Sequence, residues 1–212
     1  MTSQRAGVLC VAGLALTGIY SLATLPLVPS LLGSHPVLLE ALRGSISSMI
    51  TAGAFARVGR ASLTLALLAP VVTLLKSDPL LWWAGRIWGP NVAQMLTRGG
   101  PRAQRRAERA IRWAERYGSW AIVFGYFLPV PSALIYAAAG WTGMSLRRFL
   151  LLDVIGTALW IITNVGLGYF IGQSAVNVAK GISHYGLILT LVLIAVVMIV
   201  AVRREWRVAL EG

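Results

Sequence analysis

The chain has 212 residues, of which 57% are hydrophobic and only 12% charged. Soluble domains carry about a quarter of their residues as Asp, Glu, Lys or Arg, so this composition excludes an ordinary water-soluble globule and a disordered chain. The formal net charge of +12 comes from 19 basic and 7 acidic residues, and the basic ones cluster between apolar runs, as the positive-inside rule requires of a membrane protein. The single cysteine, Cys10, lies inside an apolar run and leaves no partner for an intramolecular disulfide.

In chain order, residues 6–28 form a first transmembrane helix, retained rather than cleaved because the apolar run is too long for a signal peptide. Residues 35–56 contain two short helices. Ser34 and Pro36 supply N-cap and N1 residues for the first, Gly44 and Ser45 interrupt it, and Ser45 caps the second. Neither can span a bilayer of about 30 Å, so the pair is expected to re-enter. Residues 61–89 form a transmembrane helix interrupted by Lys76, Ser77, Asp78 and Pro79, which reads equally as an interface turn or as a polar step in one tilted helix.

Residues 102–117 place alanines and Ile111 at helical spacing among arginines and Glu108 and Glu115, the pattern of an amphipathic helix lying in the interface. Residues 118–141 are apolar yet flanked by basic clusters on both sides, and Pro129 and Pro131 break their helix. A second re-entrant hairpin, entering from the cytoplasmic side, satisfies both facts. Transmembrane helices over 149–172 and 185–202 and a basic tail over 203–212 complete the chain, with both termini cytoplasmic and the plasma (inner) membrane as the location. The expected fold is all-α. It is a polytopic integral membrane protein with two oppositely oriented re-entrant hairpins in an inverted repeat, plus transmembrane helices and an interfacial helix.

Charged and polar residues at membrane depth are the candidate sites. Glu40 and Arg43, three apart, share a helix face. Arg43 suits a phosphate headgroup and Glu40 a counter-ion or proton carrier; a structural ion pair near the headgroups is the alternative. The helix restarting at Ser132 after Pro129 and Pro131 offers unpaired N–H groups to an anion, with Tyr126 and Ser132 adding hydroxyls; a plain proline kink is the alternative. Asp78 reads as an N-cap or a transport residue. Asp153 reads as a proton relay or as an acid paired with a nearby arginine. No nucleophile–base pair, clustered metal ligands or phosphate-cradling glycine loop occurs, so neither an enzyme, a metal nor a cofactor is expected. Without an aromatic stacking platform beside the charge, nucleic acid is not an expected partner.

The pair of broken hairpins, together with Tyr117-Gly118, Phe127-Leu128-Pro129, Ala139-Gly140, Met144, Arg148-Phe149, Gly156, Trp160 and Gly168, resembles the DedA family, also called the SNARE-associated or VTT-domain family. Asp78-Pro79, Gly85-Arg86 and Gly89 are similar to its first-half signature in the form of a divergent branch. The resemblance runs from about His35 to Gly172. It implies re-entrant hairpins meeting near the midplane and a role in moving lipids between leaflets, phospholipid or polyprenyl phosphate, with proton coupling in several bacterial members. The family's arginines on either side of the second-hairpin proline are here Tyr126 and Ser132, and its acid near the first break is here Ser47. The function expected is a flippase- or scramblase-like lipid translocase whose headgroup path runs past Glu40, Arg43, Ser47, Tyr126, Pro129, Pro131 and Ser132, with Glu40, Asp78 and Asp153 as proton relay. The alternative is a non-transporting scaffold that holds anionic lipid or a protein partner.

Overall fold

The computed structural model describes residues 3–89, 105, 112, 116–128, 131–185 and 188, and among these all regular structure is helical. The helix α1, Ser3–Ala23, ends five residues before the expected boundary at 28. Pro26 has no N–H to continue the ladder, and the chain turns there into α2, Leu27–Leu32. Helix α3, Pro36–Arg43, starts with proline at N1, and its N-cap residue is His35 rather than the expected Ser34. It stops at Gly44, whose φ of 56° is a left-handed conformation that glycine adopts at little cost. Ser45 caps α4, Ile46–Arg57, as its sequence predicts: its Oγ accepts from the Ser48 N–H at 3.3 Å.

Helices α5, Leu63–Leu75, and α6, Asp78–Trp88, follow. Lys76 and Ser77 between them keep right-handed helical backbone angles, so the polar interruption is a step within one run of 26 residues, Leu63–Trp88. At 1.5 Å per residue that run is about 39 Å long. After Gly118 come the short α7, Ser119–Val123, a series of turns, and α8, Ser132–Trp141, which starts directly after Pro131. Helix α9, Leu146–Ile171, begins three residues before the span expected at 149. A further helical run, 173–185, was not anticipated by the sequence reading. Of the interfacial helix expected over 102–117, only Arg105, Arg112, Arg116 and Tyr117 are described, all helical; most of the span expected over 185–202, the tail 203–212 and Pro129 lie outside the described residues.

Two helix pairs dominate the packing: α4 lies along α9, and α6 lies along α8. Each contact is built from glycine on both sides. A Cβ on Gly53 would collide with the Val165 carbonyl and one on Gly168 with the Ile50 carbonyl. Likewise a Cβ on Gly85 would strike the Ala137 carbonyl and one on Gly140 the Trp82 carbonyl. Backbones this close exchange dispersion contacts that larger side chains would prevent, the usual device of helix association in lipid. Met49, Ala52, Ile161 and Val165 fill one contact, and Ile135, Tyr136, Ala139 and Phe149 pack beside the other.

Helix α9 also fixes the two ends of the molecule. At its start Arg148 donates to Ser119 Oγ at 2.7 Å, so the start of α7 and the start of α9 meet there. At its far end the Arg57 guanidinium lies 5.3 Å from the centre of the Tyr169 ring, bringing the end of α4 to the end of α9. The outer surface is apolar, with Phe170, Val72, Leu22 and Leu151 all largely exposed. Three helices, Arg5–Ala23, Leu63–Trp88 and Leu146–Ile171, are long and apolar enough to cross a membrane.

Candidate functional site

A cavity of about 450 Å³ lies between α1, the end of α3, the α5–α6 junction and the second helix pair. Its polar wall at 73–78 falls near the middle of the Leu63–Trp88 run, about 20 Å from either end. Four of the residues singled out from sequence line it: Arg43, Asp78, Tyr126 and Ser132. They come from α3, α6, the turn after α7 and the start of α8, so folding brings together positions as much as 89 residues apart (132 − 43).

The positive side of the cavity is anchored to α1. Arg43 donates through one terminal nitrogen to the Ser21 carbonyl at 2.6 Å and to Thr24 Oγ1 at 2.9 Å, while its buried Nε has no partner among the described residues. The Lys76 ammonium sits 3.7 Å from the centre of the Tyr20 ring, a cation–π arrangement. Tyr20 is itself held by its hydroxyl, which donates to the Leu42 carbonyl at 2.9 Å. Thr73 ties α5 to α3 by donating to the Ala41 carbonyl. The guanidinium and the ammonium therefore face one space from fixed supports.

Across from them, the Asp78 carboxylate accepts from the Tyr126 hydroxyl at 2.9 Å and from Ser77 Oγ at 3.2 Å. Ser77 occupies the N-cap position of α6, and Asp78 lies in its first turn rather than capping it. Behind Asp78, Asp153 is 0% exposed and is an electrostatic neighbour of Asp78, Tyr126 and Tyr136. Its carboxyl oxygens, the Tyr136 hydroxyl and the Thr157 hydroxyl have no hydrogen-bond partner among the described residues. Among the described residues Asp153 pairs with no arginine: its charged neighbour is another acid, Asp78, and it is buried on α9 while Arg147 and Arg148 on the same helix are exposed.

The remaining expected residues fall elsewhere. Glu40 is 0% exposed on α3, and both its oxygens lack a partner among the described residues. It does not pair with Arg43, which reaches instead to α1. Ser47 is exposed near the start of α4, 3.2 Å from Ser45 Oγ, and does not line the cavity. Pro131 is exposed at the start of α8. Sequence reasoning missed Thr17, Tyr20, Ser21, Thr24 and Lys76, all of which line the cavity. The first four recur at helical spacing in an otherwise apolar helix, a polar stripe that was available as a signal.

No group of three or more His, Cys, Asp or Glu side chains suited to a metal occurs among the described residues. The fold and site thus define a helical membrane protein with a polar, doubly cationic cavity at mid-length of its Leu63–Trp88 run. Residues 44–170 match the family model of the VTT domain, and the chain belongs to that family, also called DedA. It is 31% identical over 86 residues to undecaprenyl phosphate transporter A of Staphylococcus aureus; the matched stretch covers 41% of this chain and 42% of that relative. No solved structure matches the chain significantly.

Proposed function

We propose that this protein carries phosphate-bearing lipids, phospholipid or polyprenyl phosphate, between the leaflets of the plasma membrane, with the headgroup passing through the cavity of Arg43, Lys76, Asp78, Tyr126 and Ser132. The observation that carries the reading is the placement of two cationic side chains, Lys76 on the apolar Leu63–Trp88 run and Arg43 beside it from α3, in one cavity at mid-length of that run. A cation at the bilayer centre costs a few kcal/mol, roughly 2.5–3.5 on insertion scales, and such residues are the usual mark of an ion or substrate path. A phosphate entering between Arg43 and Lys76 gains charge-assisted hydrogen bonds that offset its desolvation. The name of the similar transporter supports a polyprenyl phosphate as one substrate.

The topology that fits is the pair of opposed re-entrant hairpins, α3–α4 and α7–α8. Support comes from the Arg148–Ser119 bond at one end of α9 and the Arg57–Tyr169 contact at the other, which belong to different hairpins. The exchanged packing of α4 on α9 and α8 on α6, glycine against backbone in both, supports an inverted repeat. Proton coupling would act through the buried carboxyls: Asp78 and Asp153 beside the cavity, and Glu40 on α3. Both termini are cytoplasmic in this reading, and the residues act by binding and passing the lipid rather than by catalysis.

Leaflet exchange of labelled phospholipid and polyprenyl phosphate in protein-containing liposomes, with and without a pH gradient, tests the proposal. Exchange above empty liposomes that falls by about tenfold or more in Arg43→Ala and Lys76→Gln, as loss of a charge-assisted contact implies, is the expected result. No exchange of either lipid by folded protein sinks it and leaves a scaffold that only holds anionic lipid.

A further inference from the structure

A second cavity, of about 440 Å³, lies at the end of the molecule where α3 begins, α4 ends and α5 begins. His35, Arg60 and Lys180 line it, with no acidic residue, and all three are exposed and make no ion pair among the described residues. The first turns of α3 and α5 both border it, and neither helix has a side-chain cap on its free N–H groups. Among the described residues its positive charge is therefore uncompensated, unlike that of the mid-length cavity, where Asp78 faces Arg43 and Lys76. The other wall is apolar, formed by Val37, Leu38 and Leu65.

The two cavities lie at opposite ends of the same two helices. Helix α3 runs from Pro36 at one to Arg43 at the other, about 12 Å at 1.5 Å per residue. Helix α5 runs from Leu65 at one to Thr73 at the other. Along α5 the exposed Leu65, Leu68 and Val72 recur at helical spacing, an apolar track that leads from the end cavity toward the mid-length one.

We propose that the cavity of His35, Arg60 and Lys180 is a second phosphate-lipid site, at the membrane surface, where the headgroup docks before or after the mid-length cavity while its tail follows the exposed face of α5. The inference rests on the translocation reading for its direction of travel, but the site itself stands on its own geometry. A phosphate monoester is the chemistry recognised. The apolar wall and the α5 track select the lipid form over free phosphate.

Native mass spectrometry of the detergent-solubilised full chain, titrated with phosphatidic acid, counts the bound lipids. The parent should hold two tightly. The double variant Arg60→Gln/Lys180→Gln, at exposed positions that leave packing intact, should keep one and bind the other roughly thirtyfold more weakly, at about 1 kcal/mol per surface cation. Arg43→Ala/Lys76→Gln should keep the complementary one. Two lipids bound to Arg60→Gln/Lys180→Gln at parental affinity overturn the proposal, as does equal binding of phosphatidylcholine. Displacement by inorganic phosphate at a similar concentration overturns the lipid identity; displacement only at far higher concentration supports it. Leaflet exchange by the parent decides the translocation reading separately: two bound lipids without exchange sink transport and keep the second site.

Discussion

Tyr126 holds Asp78 by a 2.9 Å hydrogen bond while its ring stacks on Trp160 at 5.8 Å, so its two ends do different work. Tyr126→Phe keeps the stacking and strips a donor from a buried acceptor, which costs about 1–3 kcal/mol. Thermal unfolding in detergent should show that loss. The double variant with Asp78→Leu should recover much of it, because removing both ends of the Tyr126–Asp78 bond leaves neither end buried and unpaired, and Ser77, which also donates to Asp78, is only half-buried; a double variant that loses the sum of the two single effects would contradict the pairing. Tyr126 and Ser132, which line the cavity, were legible as candidates because they stand where the resemblance places arginines. Tyr20, Ser21 and Thr24 showed only as a polar stripe in the first apolar run; what their hydroxyls and carbonyls bind emerges only once α3 brings Arg43 against α1.

Between helices, the decisive positions are those where side chains are absent. Gly168 and Gly166 sit on the same helix, but a Cβ on Gly168 collides with the Ile50 carbonyl while one on Gly166 meets nothing within 4 Å. Gly168→Ala should lower stability by about 1–3 kcal/mol through forced separation of α4 and α9, and Gly85→Ala should do the same for α6 and α8. Gly166→Ala should be neutral or stabilising by up to about 1 kcal/mol from helix propensity; equal loss in both would refute the close-packing account. Ser45→Ala removes the cap of α4 and should cost about 1 kcal/mol in the same assay. The cap and the Gly44 break are local chemistry and were readable from sequence. The end of α1 was less so: hydropathy continues past Ala23 while Pro26 already ends the helix. The α4–α9 and α6–α8 partnerships link residues far apart in the chain, so no local pattern reveals them.

At the scale of the whole molecule, the apolar runs and the basic clusters made a helical membrane protein legible, and the family match agrees. Whether the Lys76–Asp78 step interrupts or continues its helix depended on backbone angles that either reading of the sequence allows, and the chain continues. The proposed arrangement of opposed hairpins predicts a specific pattern of access. With Cys10 replaced by alanine and single cysteines introduced, positions 120 and 145 should label from one side of the membrane and positions 35 and 62 from the other. Labelling of 120 and 145 from opposite sides would mean that the second segment crosses rather than returns.

The central claim is that a lipid phosphate occupies the Arg43–Lys76 cavity half-way through the membrane, and cross-linking tests it most directly. Protein in liposomes would be irradiated with a polyprenyl phosphate carrying a photoreactive group beside its phosphate, and the adducts mapped by mass spectrometry. The account predicts adducts within the stretches 17–24, 42–43 and 73–78, which supply most of that cavity's lining, and their loss in Arg43→Ala/Lys76→Gln. Adducts confined to the surface ends of the helices, with 17–24 and 73–78 unlabelled, would contradict it.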